Sequence, residues 1–269
     1  MSSFKDNFVW YELLTSDAEA AEAFYRGTIG WGARDSGLPD RRYTILTLGD
    51  TPVAGLMTLP EEARKAGARP GWIGYVAVED VDAVSARVKE AGGIIRRAPD
   101  DIPGIGRFAI VADPQGATFA LFKGSGAEPH HPRPAPCTPG LPGWHELHAA
   151  DRESAFAFYT GLFGWTKTDA VDLGPMGIYQ LFTTGEAAGG VSVGGMMTKP
   201  EAMPAPCWLY YFNVEDIDAA AGRVTGSGGR ILNGPHQVPG GSWIVQGLDP
   251  QGAMFALVGP RVNVGSQAV

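Results

Sequence analysis

The amino-acid sequence predicts an α+β protein made of four β-α-β-β(-β) units, two in each of two domains. Three observations carry this reading. The chain of 269 residues repeats itself over nearly its whole length. Each copy alternates short apolar strand patterns with two helix signals. A stretch rich in proline and glycine, "KGSGAEPHHPRPAPCTPGLPG" (123–143), divides the copies and carries no core pattern. These set a first domain at 1–123, a linker at 124–142, a second domain at 143–262 and a tail at 263–269.

The duplication is read residue by residue. "SDAEAAEAFYRGTIGWGA" (16–33) matches "ADRESAFAFYTGLFGWTK" (150–167), pairing Asp17 with Asp151, Phe24 with Phe158, Tyr25 with Tyr159 and Trp31 with Trp165. "VEDVDAVSARVKEAGG" (78–93) matches "VEDIDAAAGRVTGSGG" (214–229), and "ADPQGATFALF" (112–122) matches "LDPQGAMFALV" (248–258). Within the first copy, an alternating strand at 8–15 leads to a helix capped by Ser16 or Asp17. That helix places Ala20, Ala21, Phe24 and Tyr25 at helical spacing and stops between Gly27 and Gly30. Strands follow at 42–48 and 52–58. The pattern then restarts with a strand at 72–78, a helix capped by Asp80 and stopped at Gly92–Gly93, and strands near 94–97, 107–112 and 117–122. The second copy repeats this order.

Composition narrows the classes of function. Hydrophobic content of 44% and charged content of 19% are those of a folded soluble chain. A net charge of −8 argues against nucleic acid as a partner, because phosphate binding needs a basic surface. No apolar run is long enough to span a membrane, and "MSSFKDNFVW" lacks the pattern of a secretion signal, so the expected location is cytoplasmic. Cys137 and Cys207 stand in no metal or redox spacing and are expected to be unpaired thiols of a reducing compartment. His130 and His131 are expected to be solvated in the linker.

The motifs "D…A..FY…(I/F)GW", "V.VEDVDA…V…GG" and "DP.G..FAL", in this order in both halves, resemble the vicinal oxygen chelate superfamily of glyoxalases, bleomycin-resistance proteins and extradiol dioxygenases. The resemblance implies two glyoxalase-like domains, each curling eight strands into a half-open cup that holds a small molecule. It also implies metal ligands at three places per domain. Those places hold Trp10, Ile73 and Ala120 in the first half and Trp144, Leu209 and Ala256 in the second. None is an imidazole, carboxylate or thiolate. The expectation is therefore no metal and no cofactor. The chain is similar to the metal-free binders of the superfamily, or to metal-independent enzymes of the same fold.

The segment "GWHELHAAD" (143–151) holds the densest chemistry. Strand residues alternate between faces, so Trp144, Glu146 and His148 share the face of the expected cup, as do Trp10, Glu12 and Leu14 in the first half. His145 turns to the opposite face and is expected to be a satisfied core or edge residue. Glu12, Glu146 and His148 are the candidate catalytic groups. Two readings stand for the glutamates: ligand anchoring or proton transfer, and a structural carboxylate bonded to a neighbouring strand or tyrosine. Trp10, Tyr75, Trp144, Tyr211 and Asn213 are the candidate ligand-binding residues, an apolar and aromatic lining with a few polar points. Met57 and Met197 belong either to the rim or to the core.

Other signals carry less. "GVSVG" (190–194) matches a nucleophile-elbow spacing around Ser192 but lies between strands. His236, with counterpart Asp100, is expected in a loop, and Asp113 and Asp249 in "DPQG" read as turn residues. Three functions remain: a metal-free binder of a small apolar or aromatic molecule; an enzyme of lyase or oxygenase type, metal-independent or using an unusual metal set such as Glu146 with His148, acting on an α-oxoaldehyde conjugate or an aromatic or polyketide-type metabolite; and a fold kept for protein interaction. Four modules in one chain can supply the module pairing internally, so a monomer is expected, with a dimer as the alternative.

Overall fold

A computed structural model describes residues 5–38, 42–126, 137–184 and 190–262. His130, His131 and the tail at 263–269 lie outside the described residues. The first half contains β1 (Phe8–Thr15), α1 (Ala18–Ile29), β2 (Gly32–Asp35), β3 (Thr44–Leu48), β4 (Thr51–Thr58), α2 (Glu61–Lys65), β5 (Gly71–Ala77), α3 (Val81–Glu90), β6 (Ile94–Ile102), β7 (Gly106–Ala112) and β8 (Thr118–Gly124). The second half contains β9 (Pro142–Ala149), α4 (Arg152–Phe163), β10 (Thr166–Asp172), a 3-10 turn at Gly174–Met176, β11 (Ile178–Thr183), β12 (Gly194–Thr198), β13 (Cys207–Asn213), α5 (Ile217–Gly226), β14 (Arg230–Gln237), β15 (Trp243–Leu248) and β16 (Met254–Gly259). No helix among the described residues is long and apolar enough to cross a membrane.

The helix boundaries follow from local chemistry. Asp17, Asp80, Asp151 and Asp216 each stand in extended backbone and accept a hydrogen bond from an N–H of the first turn, at 3.0, 2.9, 2.8 and 2.8 Å. Each such cap is worth about 1 kcal/mol. Asp17, not Ser16, is the cap of α1. Gly30 and Gly164 close α1 and α4 at φ 93° and 69°, the left-handed region open to glycine.

Each half forms one eight-stranded sheet, ordered β2-β3-β4-β1-β5-β8-β7-β6 and β10-β11-β12-β9-β13-β16-β15-β14. In every module the first strand returns parallel to the last, as in β1 with β4, β5 with β8, β12 with β9 and β13 with β16. The remaining pairs within the modules are antiparallel. The fold is the α+β arrangement of four βαβββ modules expected above. Two elements escaped the sequence pattern: β2, whose "GARD" has no apolar alternation, and the short α2. Two strands run longer than expected. The segment from Ile94 extends to Ile102, carrying Asp100, and "RILNGPHQ" is strand β14, so His236 is an exposed strand residue opposite Ile244 and not a loop residue.

Packing divides the chain differently from the sheets. One compact unit takes Met1–Trp10, Ile73–Arg133 and Trp144–Leu209, and the other Tyr11–Trp72, Pro134–Gly143 and Tyr210–Val269. Each unit therefore joins one module from each half of the sequence. In the first unit, Tyr159 of α4 stacks on Trp165 with centroids 5.3 Å apart, and Trp165 stacks on Phe182 at 4.8 Å. All three rings are buried.

Asp113 sits under this cluster. One of its carboxylate oxygens accepts from the Gln115 and Ala117 amides, both at 2.9 Å, and the other from Tyr159 Oη at 3.1 Å. Tyr159 Oη in turn accepts from Trp208 Nε1 at 2.9 Å. The second unit repeats this arrangement. Asp249 accepts from the Gln251 and Ala253 amides at 2.9 and 2.8 Å and from Tyr25 Oη at 3.1 Å, while Trp72 Nε1 donates to Tyr25 Oη at 2.9 Å. Both aspartates are turn residues as expected, and each also anchors a tyrosine of the other half. Burial raises the pKa of both, against the lowering effect of these bonds.

Removing Asp249 leaves Tyr25 Oη and two amides without their acceptor. Asp249→Ala is expected to cost about 2–4 kcal/mol in urea unfolding, and Asp249→Asn, which keeps one acceptor oxygen, clearly less. Equal stability of Asp249→Ala and the parent would show that this network does not hold the unit together.

Candidate functional site

β9 brings the second-half candidates together. Trp144 Nε1 donates to Tyr179 Oη at 2.7 Å, and Tyr179 Oη donates to Glu146 Oε2 at 2.9 Å. His148 Nε2 stands 2.7 Å from the other carboxylate oxygen, Oε1. That contact is short enough for a charge-assisted pairing but lies outside the angles of an aligned hydrogen bond, so among the described residues neither ring nitrogen of His148 has a hydrogen-bond partner. Glu146 and His148 are 6% and 4% exposed. Trp144 and Tyr179 are half-buried, so indole and phenol form the outer part of the cluster.

Tyr179, on β11, was not among the residues singled out from sequence. It reaches Glu146 because Gly195 of β12, the register neighbour of Glu146, has no side chain. A Cβ at Gly195 would run into the Tyr179 ring. The first half uses the same device: Glu12 pairs in register with Gly55, and a Cβ at Gly55 would run into Tyr43. The Tyr43/Tyr179 and Gly55/Gly195 pairs were visible as repeated letters, yet only the strand register shows that they belong with the glutamates. Glu12 is buried, and Leu14 takes the place of His148.

Electrostatics fix the protonation of the neighbours. Burial, reinforced by the Glu146 charge, raises Tyr179 well above the ordinary phenol value and pushes the Cys207 thiol up to about 11. Both remain neutral donors near pH 7. His145 lies on the other face of β9, stacks on Phe8 at 4.4 Å and places Nδ1 2.8 Å from the Val193 carbonyl. Burial pushes its pKa down to about 4.

The other candidates are spread over both units. Tyr75 is buried with its ring 6.3 Å from Phe122 and 6.5 Å from Phe108. Tyr211 accepts from Gln246 Nε2 at 2.7 Å. Asn213 is buried, and its amide donates to the Leu141 carbonyl at 2.9 Å, tying the start of β9 to the end of β13. Trp10 is half-buried on β1, Met57 is half-buried on β4, and Met197 is buried beside His148 in register. Ser192 precedes β12 with its hydroxyl 2.7 Å from Thr168 Oγ1, not at a strand-to-helix turn.

The residues do not fit the metal centre that the resemblance implies. Its six positions carry Trp, Ile, Ala, Trp, Leu and Ala. Among the described residues no three His, Cys, Asp or Glu side chains converge on a point that could hold a metal. What the arrangement offers chemically is a carboxylate–imidazole pair under aromatic rings.

Two outcomes follow from this geometry. Gly195→Ala is expected to displace the Tyr179 ring and cost about 1–3 kcal/mol in urea unfolding; a parental midpoint would show that the ring does not need that space. His145 is neutral in the native state, while an unfolded histidine titrates at 6.5. Between those values the unfolded chain binds more protons, so stability falls as pH drops from about 6.5 toward 4. Since His145 is only half-buried, His145→Gln is expected to remove about 1–2 kcal/mol of that fall, measured by unfolding at both ends of the window.

Comparison with known proteins agrees with the fold. The family model of the Glyoxalase/Bleomycin resistance protein/Dioxygenase superfamily matches twice, over residues 7–121 and 143–257. CFP32 of Mycobacterium tuberculosis, which carries a provisional glyoxylase name, is 32% identical over 253 residues, covering 93% of this chain and 94% of that protein. The anthracycline biosynthesis protein DauV of Streptomyces sp. (strain C5) is 29% identical over 276 residues, covering 93% and 91%. The Mn(II)-bound glyoxalase from Novosphingobium aromaticivorans superimposes with a TM-score of 0.60 at 19% identity, covering 95% of this chain and 82% of that one. The 2,2',3-trihydroxybiphenyl 1,2-dioxygenase of Sphingomonas wittichii strain RW1 gives 0.65 at 15% identity, covering 99% and 93%. With two family matches in tandem and a full-length relative, the chain belongs to the glyoxalase/bleomycin resistance protein/dioxygenase superfamily.

Proposed function

We propose that the protein binds a small, largely apolar or aromatic molecule in its second glyoxalase-like domain, without a metal. The carrying observation is the cluster of Trp144, Tyr179, Glu146 and His148, in which two half-buried rings lie against a buried carboxylate and imidazole. Aromatic surface beside a few convergent polar groups is the usual chemistry of a small-molecule site. The likeness to DauV, an anthracycline biosynthesis protein by name, favours an aromatic, polyketide-type molecule. The domains are taken as 1–123 and 143–262, and the protein as a cytoplasmic monomer whose two domains supply the module pairing internally.

A second reading has an observation of its own. The Glu146–His148 pair is suited to acid/base work, and CFP32 carries a glyoxylase name. This reading makes the protein an enzyme of lyase or oxygenase type, acting on an α-oxoaldehyde conjugate or an aromatic metabolite.

The two are separated by stoichiometry. Polycyclic aromatic compounds titrated into the protein are expected to quench tryptophan fluorescence at one equivalent and to be recovered unchanged. Consumption of excess compound by sub-stoichiometric protein would move the enzyme reading to the front. Trp144→Leu is expected to weaken binding about five- to tenfold, the worth of an aromatic contact. Unchanged affinity would remove Trp144 from the site.

A further inference from the structure

We infer that His148 is the proton acceptor for an acidic hydroxyl of the bound molecule, so that the second domain selects phenols and enols and holds them as anions paired with imidazolium. This rests on the binding reading above and names its ligand class.

The argument starts from Glu146. One of its oxygens is committed to the Tyr179 hydroxyl, and the other faces His148 Nε2 at 2.7 Å. A carboxylate is an acceptor, so the ring nitrogen that faces it is the one carrying the proton. In the neutral ring the remaining nitrogen, Nδ1, is then a bare acceptor. It is shut off from solvent and, like Nε2, makes no aligned hydrogen bond among the described residues, but unlike Nε2 it faces no carboxylate oxygen there. A buried acceptor left without a donor loses the hydrogen bonds it would make in water and is destabilising. A ligand hydroxyl would supply the missing donor.

The neighbours leave this role to His148. Tyr179 and Cys207 are held protonated by burial beside Glu146 and cannot take a proton near pH 7. Met197, the register neighbour of His148 on β12, is unbranched and can yield to an incoming ring. In the first half, Leu14 and Met57 are register neighbours at the same places, so the methionine recurs and the base does not.

The proton balance is simple. The ligand O–H bond breaks and an N–H bond forms at Nδ1. The resulting imidazolium has Nδ1–H toward the ligand oxyanion and Nε2–H toward Glu146, the orienting arrangement by which a carboxylate supports a histidine base. The proton returns to the ligand on release. No oxidant or reductant is involved.

The test uses the full chain and 2-hydroxyanthraquinone, a flat aromatic whose visible band shifts to the red on ionisation. The buffer is held roughly one unit below the probe's own pKa, so that free probe is mostly neutral. Binding is read by tryptophan quenching and ionisation by absorbance. The expected result is a one-to-one complex with the anionic band. His148→Gln should weaken binding about tenfold, as the loss of the same contact does in the ether below, and its saturated complex should show the neutral band. A neutral band in the parental complex, or an anionic band that persists in His148→Gln, would overturn the inference while leaving binding intact. Absence of quenching would instead overturn the binding reading, and this inference with it. A measurement on the parental protein alone guards against a variant that does not fold: 2-methoxyanthraquinone, which has no proton to give, is expected to bind about tenfold more weakly, and equal affinity of ether and phenol would also overturn the inference.

Discussion

The structure depends on satisfying two buried carboxylates. Asp113 and Asp249 each sit in a "DPQG" turn where burial opposes their charge, and each gathers two turn amides and one tyrosine hydroxyl. The tyrosine always comes from the other half: Tyr159 serves Asp113 and Tyr25 serves Asp249. A tryptophan from the strand that opens a second module then satisfies the tyrosine, Trp208 in one case and Trp72 in the other. Each helix thus finds its buried acceptor on the other copy of the repeat, and unpairing either network strands several polar groups at once. This explains why the compact units mix modules from both halves although each sheet is made from one half alone.

The same residues show what a sequence can and cannot convey. "FY", "DPQG" and the leading tryptophans stand out as repeated letters, and capping aspartates with closing glycines place the helices because those signals are local. Their mutual bonds are not local: Tyr25 and Asp249 are separated by most of the chain. The two extended strands illustrate a different limit. Pro99 in β6 and Pro235 in β14 read as breakers, and β14 carries "NGP", a turn signal. Both strands lie at the end of their sheets, and both lose register near the proline, between Arg97 and Asp100 and between Asn233 and His236. An edge with a bulge tolerates a residue that cannot donate. Edge position is a property of the sheet, so the breakers could not be weighed in advance.

For the site, period-two alternation put Trp144, Glu146 and His148 on one face, because it rests only on strand geometry. Tyr179 escaped for the opposite reason. Its place is set by an absence, the missing side chain of Gly195, and by a register between β9 and β12 that no single segment encodes. Asn213 escaped in role more than in place. Its amide reads as a polar point in an apolar lining, whereas in the fold it holds the Leu141 backbone.

The two halves together separate packing from chemistry. Glu12 with Gly55 and Tyr43, and Glu146 with Gly195 and Tyr179, are the same construction, and a construction found twice in one chain is explained by what the fold needs in both places. At the family's metal position a tryptophan stands in each half. In the second it donates to the tyrosine that donates to the glutamate. His148 is not part of that shared construction: leucine fills its place in the first half, and neither imidazole nitrogen makes an aligned hydrogen bond among the described residues. On this face of the opening strand the chemical difference between the two halves is leucine against histidine, two residues beyond a carboxylate that both halves share.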